Sequence, residues 1–278
     1  MTARFCTIMC TVMNVYLLPE RRREIILERL DKSQRVVARE LADEFGVSED
    51  AIRRDLRDLA GAGKCRRVYG GALPLTDTAP FVDRVDRNFT AKRALARAAA
   101  ALVKPRDTIY IDAGTTNLLL AETLPLGQPV TVITNSVTIA AALYRKPEVT
   151  LFLIGGHVDP QIDAAVGGTA VAQIGRYRPD ITFIGVCAVS ASSGLSVLDE
   201  RDADVKRAAI EASRRLVVLA TNDKLGRAAP YHIAPAAGVQ ALVVERTAPA
   251  DEASAFEQIG SVIIRAEGAS DIMAQRAD

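Results

Sequence analysis

The stretch VSEDAIRRDL from Val47 to Leu56, followed within a dozen residues by RRVYGGA from Arg66 to Ala72, constrains this chain more than any other part of it. Gly46 is suited to the positive φ that ends one helix and opens a tight turn, and Ser48, two residues on, stands where it caps the next helix. Upstream, Val37, Leu41 and Phe45 recur four apart; downstream, Ile52, Leu56 and Leu59 recur four and three apart, so each segment presents one apolar stripe. Ile25, Ile26 and Leu30 supply a third. Three stripes with a shared core predict a helix-turn-helix unit able to fold alone.

With the apolar face turned inward, Arg53, Arg54 and Arg57 fall on other faces of the second helix, available to phosphates or base edges. Lys64, Arg66 and Arg67 follow directly. From Arg53 to Arg67 there are six basic residues and two acidic ones, Asp55 and Asp58, a local excess of four in a chain of net charge +1. The basic charge is thus concentrated. A solvated helix face with weak surface pairs is the competing reading of any one arginine. The order of cap, helix, turn at Gly61 to Gly63, basic segment and Gly70-Gly71 favours a winged, DNA-reading unit.

The region from about Pro19 to Ala72 resembles the N-terminal domain of the DeoR family of bacterial transcriptional regulators. That family's pattern is similar to VS-x-x-TIRRDL followed by a glycine, a basic residue and HGGA; here Ala51 replaces the usual Thr and Tyr69 the usual His. The hydroxyl contact at that helix position is therefore not carried over to Ala51. The likeness, with the charge pattern, implies DNA contacts from Arg35, Ser48, Glu49, Asp50, Arg53, Arg54, Arg57, Lys64, Arg66, Arg67 and Tyr69.

The 278 residues leave about 200 for a second domain. The expected division is an extension over 1–18, a winged helix-turn-helix over 19–73, a linker over 74–90 containing Pro74 and Pro80, and an effector domain over 91–278. The first eighteen residues lack the basic start and cleavage site of a secretory signal, and translation from Met13 is an alternative start. A composition 49% hydrophobic and 25% charged, without an apolar run of membrane-spanning length, suggests a cytosolic protein. Cys6, Cys10, Cys65 and Cys187 lack paired spacing and only His157 and His232 occur, so neither a metal site nor a disulfide framework is expected, and no cofactor.

After a helix of about fifteen residues stopped at Pro105, β-branched runs alternate with helical stretches: TIYID, VTVIT, VTLFLIG, ITFIGV, LVVLA, ALVVE and SVIIR. That alternation predicts an α/β domain with a mostly parallel sheet, whose ligand site lies at the carboxyl ends of the strands. The candidates are Asp112, Gly114, Thr115 and Thr116 after the first run, Thr134, Asn135 and Ser136 after the second, and Gly155 and Gly156 after the third. Hydroxyls at helix starts are usually caps. Several such loops converging on one sheet edge favour a phosphorylated polyol.

This half also resembles the DeoR family, through the GTT, TNS and GG stations, FIG at Phe183 to Gly185, the turn SSGLS, and Lys206; Phe81, Arg84, Asn88 and Lys92 match the join before it. The likeness implies a fold similar to ribose-5-phosphate isomerase and a sugar-phosphate effector held in part by Lys206 and Lys224. A repressor of a sugar or polyol operon, acting as a homo-oligomer on duplex DNA, is the function implied. An isomerase-like enzyme, with Asp112 as base and Lys206 as the enediolate cation, is the alternative. It is disfavoured because ITFIGVCAVSASSG carries no acidic residue.

Overall fold

A computed structural model describes residues 18–33, 36–62, 64–74, 80–125 and 127–267. The expected N-terminal extension, the alternative start at Met13 and the candidate Arg35 lie outside them. The chain divides into two units, 1–75 and 76–278.

In the first unit the helices Pro19–Ser33, Ala38–Phe45 and Glu49–Gly61 enclose a core of Ile26, Leu30, Leu41, Ile52, Leu56 and Leu59. Gly46 ends the second helix at φ 64°, and the Ser48 hydroxyl accepts from the Ala51 amide at 3.2 Å, capping the third. The stripe expected to begin at Val37 in fact begins on a strand. Val36–Val37 pairs with Ala72 and Gly71, and the helix starts only at Ala38. Two adjacent β-branched residues favour extended backbone, and the wing offers them an edge.

The wing is an antiparallel hairpin of Cys65–Val68 and Gly71–Pro74, turning at Tyr69-Gly70. Its glycine pair does two different jobs. Gly70 has φ 81°, and a Cβ on Gly71 would lie 1.9 Å from the Val36 carbonyl oxygen. A side chain at Gly71 would therefore force the three-stranded sheet apart.

The second unit is built on a seven-stranded parallel sheet. Its strands run Val262–Ala266, Ala241–Glu245, Leu216–Ala220, Ile181–Ile184, Thr108–Ile111, Val130–Thr134 and Val149–Leu153 across the sheet. All seven correspond to the β-branched runs read from the sequence. Side chains alternate between two cores: Tyr110, Ile133, Ile184, Val218 and Leu242 face one, while Ile109, Ile111, Val132, Phe183 and Val217 face the other. Burial on both faces explains why the inner strands are nearly continuous apolar runs, while the edge strands Val149–Leu153 and Val262–Ala266 are partly exposed.

Chain order reverses between Thr108–Ile111, the first strand, and Ile181–Ile184, the fourth, leaving a crevice at their carboxyl ends. The stretches expected to be loop or helix after the third and fourth strands contain further sheet. His157–Asp159 pairs with Ala164–Val166, and Ala188–Ser190, Gly194–Val197 and Tyr231–Ala234 form a three-stranded sheet. The helix before the first strand spans Phe89–Ala100, preceded by a separate turn at Phe81–Arg84. Among the described residues no helix is long and apolar enough to cross a membrane.

Candidate functional site

Two surfaces carry chemistry. On the first, Arg53, Arg54 and Arg57 are exposed along the Glu49–Gly61 helix, with Lys64, Arg67 and Tyr69 exposed beyond it. The side chain of Arg66 lies outside the described residues. Arg53 pairs with Glu49 at 2.7 Å and Asp50 at 3.6 Å, so its charge is taken up by these two acidic candidates. Arg54 and Arg57 make no side-chain hydrogen bond or ion pair among the described residues. Asp55 differs from the solvated acid expected in this run: it is buried and accepts from Arg22 at 2.5 Å. Removing it from the exposed charge leaves this face more basic than the raw count implied.

The second surface is a cavity of about 60 Å³ at the switch point. Gly114, Thr115, Thr116 and Asn117 open the Thr115–Thr123 helix against it, and Gly185 and Cys187 line it from the loop after Ile181–Ile184. Asp202 and Lys206 reach it from the helix Glu200–Ala212, Lys224 from the turn at Asn222–Lys224, and Arg84 from Phe81–Arg84. The amides at the start of a helix favour an anion there.

Its floor is a buried charge cluster. The Lys206 ammonium bonds Asp112 Oδ2 and lies 3.3 Å from Asp202 Oδ1. The Gly185 amide also donates to Asp112 Oδ2, at 2.9 Å. A Cβ at Gly185 would lie 2.8 Å from the Ala113 carbonyl, so this donor is available only because the residue is glycine. Burial opposes the charge on Lys206, but Asp112 and Asp202 outweigh it and hold its pKa above the usual range. Burial raises Asp202 to about 6 despite Lys206. Asp112 Oδ1 and Asn117 Oδ1 are buried and lack a hydrogen-bond donor, whereas Asp202 Oδ1 has the Lys206 ammonium beside it. Two such acceptors call for hydroxyl or water donors.

Lys224 differs from Lys206. It makes no ion pair or side-chain hydrogen bond among the described residues, and burial, helped by Arg84 and Lys206, lowers its pKa. An anion in the cavity would relieve that cost.

Of the sequence candidates, Gly114, Thr115, Thr116, Lys206 and Lys224 line this cavity and Asp112 lies directly beneath Lys206. Thr134, Asn135, Ser136, Gly155 and Gly156 do not line it. Asn135 and Ser136 hold the hairpin at residues 157–166, while Thr134 Oγ1 accepts from the Ser136 amide at 3.1 Å. Asn135 exchanges bonds with Ala165 at 2.8 and 3.3 Å, and Ser136 bonds Asp163 while capping the next helix through the Ile139 amide. That hairpin places Ile162 on the cavity wall, so the TNS station shapes the site at one remove. Gly155 donates to Gln173 instead. Sequence reasoning passed over Asp202, whose spacing of four before Lys206 on a helix was the available signal. It also passed over Arg84, Asn117 and Cys187.

Cys65 is buried and Cys187 half-buried, and both are free thiols. Among the described residues no cluster of three or more metal-ligating side chains occurs.

Comparison with known proteins identifies the family of both parts of the chain. The family described as DeoR-like helix-turn-helix domain matches residues 22–78, and the DeoR C terminal sensor domain matches residues 87–246. The uncharacterized HTH-type transcriptional regulator FruR of Bacillus subtilis is 34% identical over 213 residues, covering 76% of this chain and 84% of that protein. The HTH-type transcriptional regulator GlpR of Haloferax volcanii is 30% identical, covering 89% and 98%. The glycerol-3-phosphate regulon repressor of Escherichia coli K12 is 29% identical, covering 81% and 90%. Among solved structures, ribose 5-phosphate isomerase A of Methanocaldococcus jannaschii matches with a TM-score of 0.37 and 20% identity over 50% of this chain and 55% of that one. At that level of likeness the fold stands on the sheet order described above. The named relatives are regulators rather than enzymes. With the two family matches together spanning most of its length, the chain belongs to the DeoR family of transcriptional regulators.

Proposed function

We propose that the protein is a cytoplasmic repressor of a sugar or polyol operon whose grip on operator DNA is altered by a phosphorylated effector. The observation that carries the effector half is the cavity itself. It sets cationic Lys224 and Arg84 and the amides of Gly114–Asn117 beside the donor-seeking Asn117 Oδ1 and the carboxylate of Asp202. A phosphate suits the first group and hydroxyls suit the second. At about 60 Å³ the cavity is small for a sugar, so the reading includes opening on binding. The name of the glycerol-3-phosphate regulon repressor adds support for a phosphorylated polyol.

For the DNA half, Arg54 and Arg57 are the leading contacts and Lys64, Arg67 and Tyr69 the wing contacts, with Ser48 positioning the helix start. Glu49, Asp50 and Arg53 act as a mutually paired group that an approaching phosphate would have to open. Half-sites read by a homo-oligomer fit the usual symmetry of such regulators.

A thermal-shift panel of phosphorylated sugars and polyols tests the effector reading. Saturating ligand at about 100 times its dissociation constant adds about 2.7 kcal/mol to the native state. Lys224→Ala should abolish that shift in protein whose unliganded melting is preserved. A flat panel for the unmodified protein would refute the effector reading and leave the DNA-binding one standing.

A further inference from the structure

The cavity is walled in part by a segment that precedes the α/β fold in the chain. Phe81 is buried in the core, and its amide donates to the Gln161 carbonyl at 3.0 Å. Lys92, also buried, donates through Nζ to the Arg84 carbonyl at 2.6 Å. These two bonds fix the backbone of a strap running from Phe81 to Lys92. Two longer bonds tie its side chains to neighbouring segments: Arg84 Nη2 to the Gln161 carbonyl at 3.4 Å, and Asn88 Nδ2 to Asp223 Oδ1 at 3.5 Å. Gln161 adjoins Ile162 and Asp223 adjoins Lys224, and both Ile162 and Lys224 line the cavity. The strap thus bridges two walls of the site with bonds at the weak end of the range.

We propose that Arg84 is an effector contact supplied by this strap, and that through it occupancy of the cavity is relayed to the DNA-binding unit. The inference rests on reading the cavity as the effector site. The Arg84 guanidinium lines the cavity while stacking at 6.0 Å over the Phe81 ring and reaching a hairpin carbonyl. A phosphate offers it two parallel charge-assisted bonds, which the 3.4 Å bond to the Gln161 carbonyl does not match. Binding therefore exchanges a bond that holds the strap to the hairpin tip for bonds that hold it to the ligand. The strap begins at Pro80–Phe81, where the chain arrives from the first unit through residues 75–79. A shift in the strap moves the point at which the chain enters the second unit, and the ligand's preference for the shifted arrangement supplies the differential affinity that a switch requires.

The test uses the full chain with Arg84→Gln and Arg84→Lys, and a duplex selected from random sequence by the unmodified protein. Ligand binding is measured by calorimetry and DNA affinity by fluorescence anisotropy, with glycerol 3-phosphate, ribose 5-phosphate, fructose 6-phosphate and inorganic phosphate as probes. The expected result for Arg84→Gln, whose side-chain amide can still donate to the Gln161 carbonyl, is DNA affinity without probe within about twofold of the unmodified protein and probe affinity about tenfold weaker, as for loss of one charge-assisted contact. Even at saturating probe, DNA affinity should then change by less than about twofold, against the about fivefold or more expected of the unmodified protein. Arg84→Lys, which keeps the charge and loses the fork, should fall between and reports the role if the glutamine variant melts early. If Arg84→Gln binds probe normally, or binds weakly yet switches fully once saturated, the relay is refuted while the effector reading survives. If the unmodified protein binds none of the probes, the effector reading and this inference fall together.

Discussion

Replacing Lys206 by methionine keeps the length of the side chain and removes the ammonium alone. That ammonium, on a side chain 4% exposed, lies between the carboxylates of Asp112 and Asp202. Without it two buried carboxylates face each other, and Gly185 is the remaining donor to Asp112. Breaking a buried pair in this way costs about 3–5 kcal/mol. The loss should depend on pH because a proton partly substitutes for the ammonium. Burial already holds Asp202 at about 6 in the native protein, and removing Lys206 pushes that carboxyl higher. The folded variant then binds a proton that the unfolded chain, with carboxyls near 4, has released, so its deficit shrinks as pH falls. Urea unfolding of the full chain followed by circular dichroism should show a loss of about 3–5 kcal/mol in the transition of the larger unit near pH 8, and about 1–2 kcal/mol less near pH 5.5. A loss below about 1 kcal/mol near pH 8, or equal losses at both values, would show that the cluster is solvent-screened and refute this reasoning. Lys206 is therefore a poor choice for removing effector binding alone, although its place in the sequence invites that use.

Three further outcomes follow from the same geometry. Because burial raises Asp202 from 3.8 to about 6, the folded protein holds a proton between those values that the unfolded chain has lost; its stability advantage over Asp202→Asn should fall as pH rises from about 4 to about 6 and then level off, and a difference in urea midpoints that stays flat across that window would contradict the assignment. Gly71→Ala places a Cβ against the Val36 carbonyl and should cost the first unit at least about 1–3 kcal/mol and weaken DNA binding, read by thermal melting and anisotropy; an unchanged melt would mean the wing is not seated on Val36–Val37. Ser48→Ala should cost about 1 kcal/mol by removing the cap on the Ala51 amide, whereas Ser48→Asp should restore it in the same melt.

The inner strands of the large sheet were legible because burial on both faces makes each a short β-branched run, the half-exposed edge strands Val149–Leu153 and Val262–Ala266 because they are β-branched and apolar all the same, and the helix-turn-helix because Gly46 and Ser48 act locally. The hairpin at residues 157–166 and the sheet containing Ala188–Ser190 were not. Their strands are three or four residues long and stabilised by distant partners such as Asn135 and Tyr231–Ala234, which leave little periodicity in the sequence. The charge pairs divide in the same way. Asp202 and Lys206 are one helical turn apart, but Lys206 meets Asp112 across 94 positions and Arg22 meets Asp55 across 33, so a buried pair was read as a solvated acid. The TNS station shows a further limit. Hydroxyl and amide side chains after a strand read alike whether they hold a ligand or, as with Ser136 on Asp163 and the Ile139 amide, hold the hairpin that shapes its wall.

The most direct test of the account is the affinity of the full chain for its operator, measured by fluorescence anisotropy with and without a phosphorylated sugar already shown by calorimetry to bind. The account predicts a change of about fivefold or more, corresponding to a coupling of about 1–3 kcal/mol. Equal affinity in the presence and absence of every sugar phosphate that demonstrably occupies the protein would contradict it.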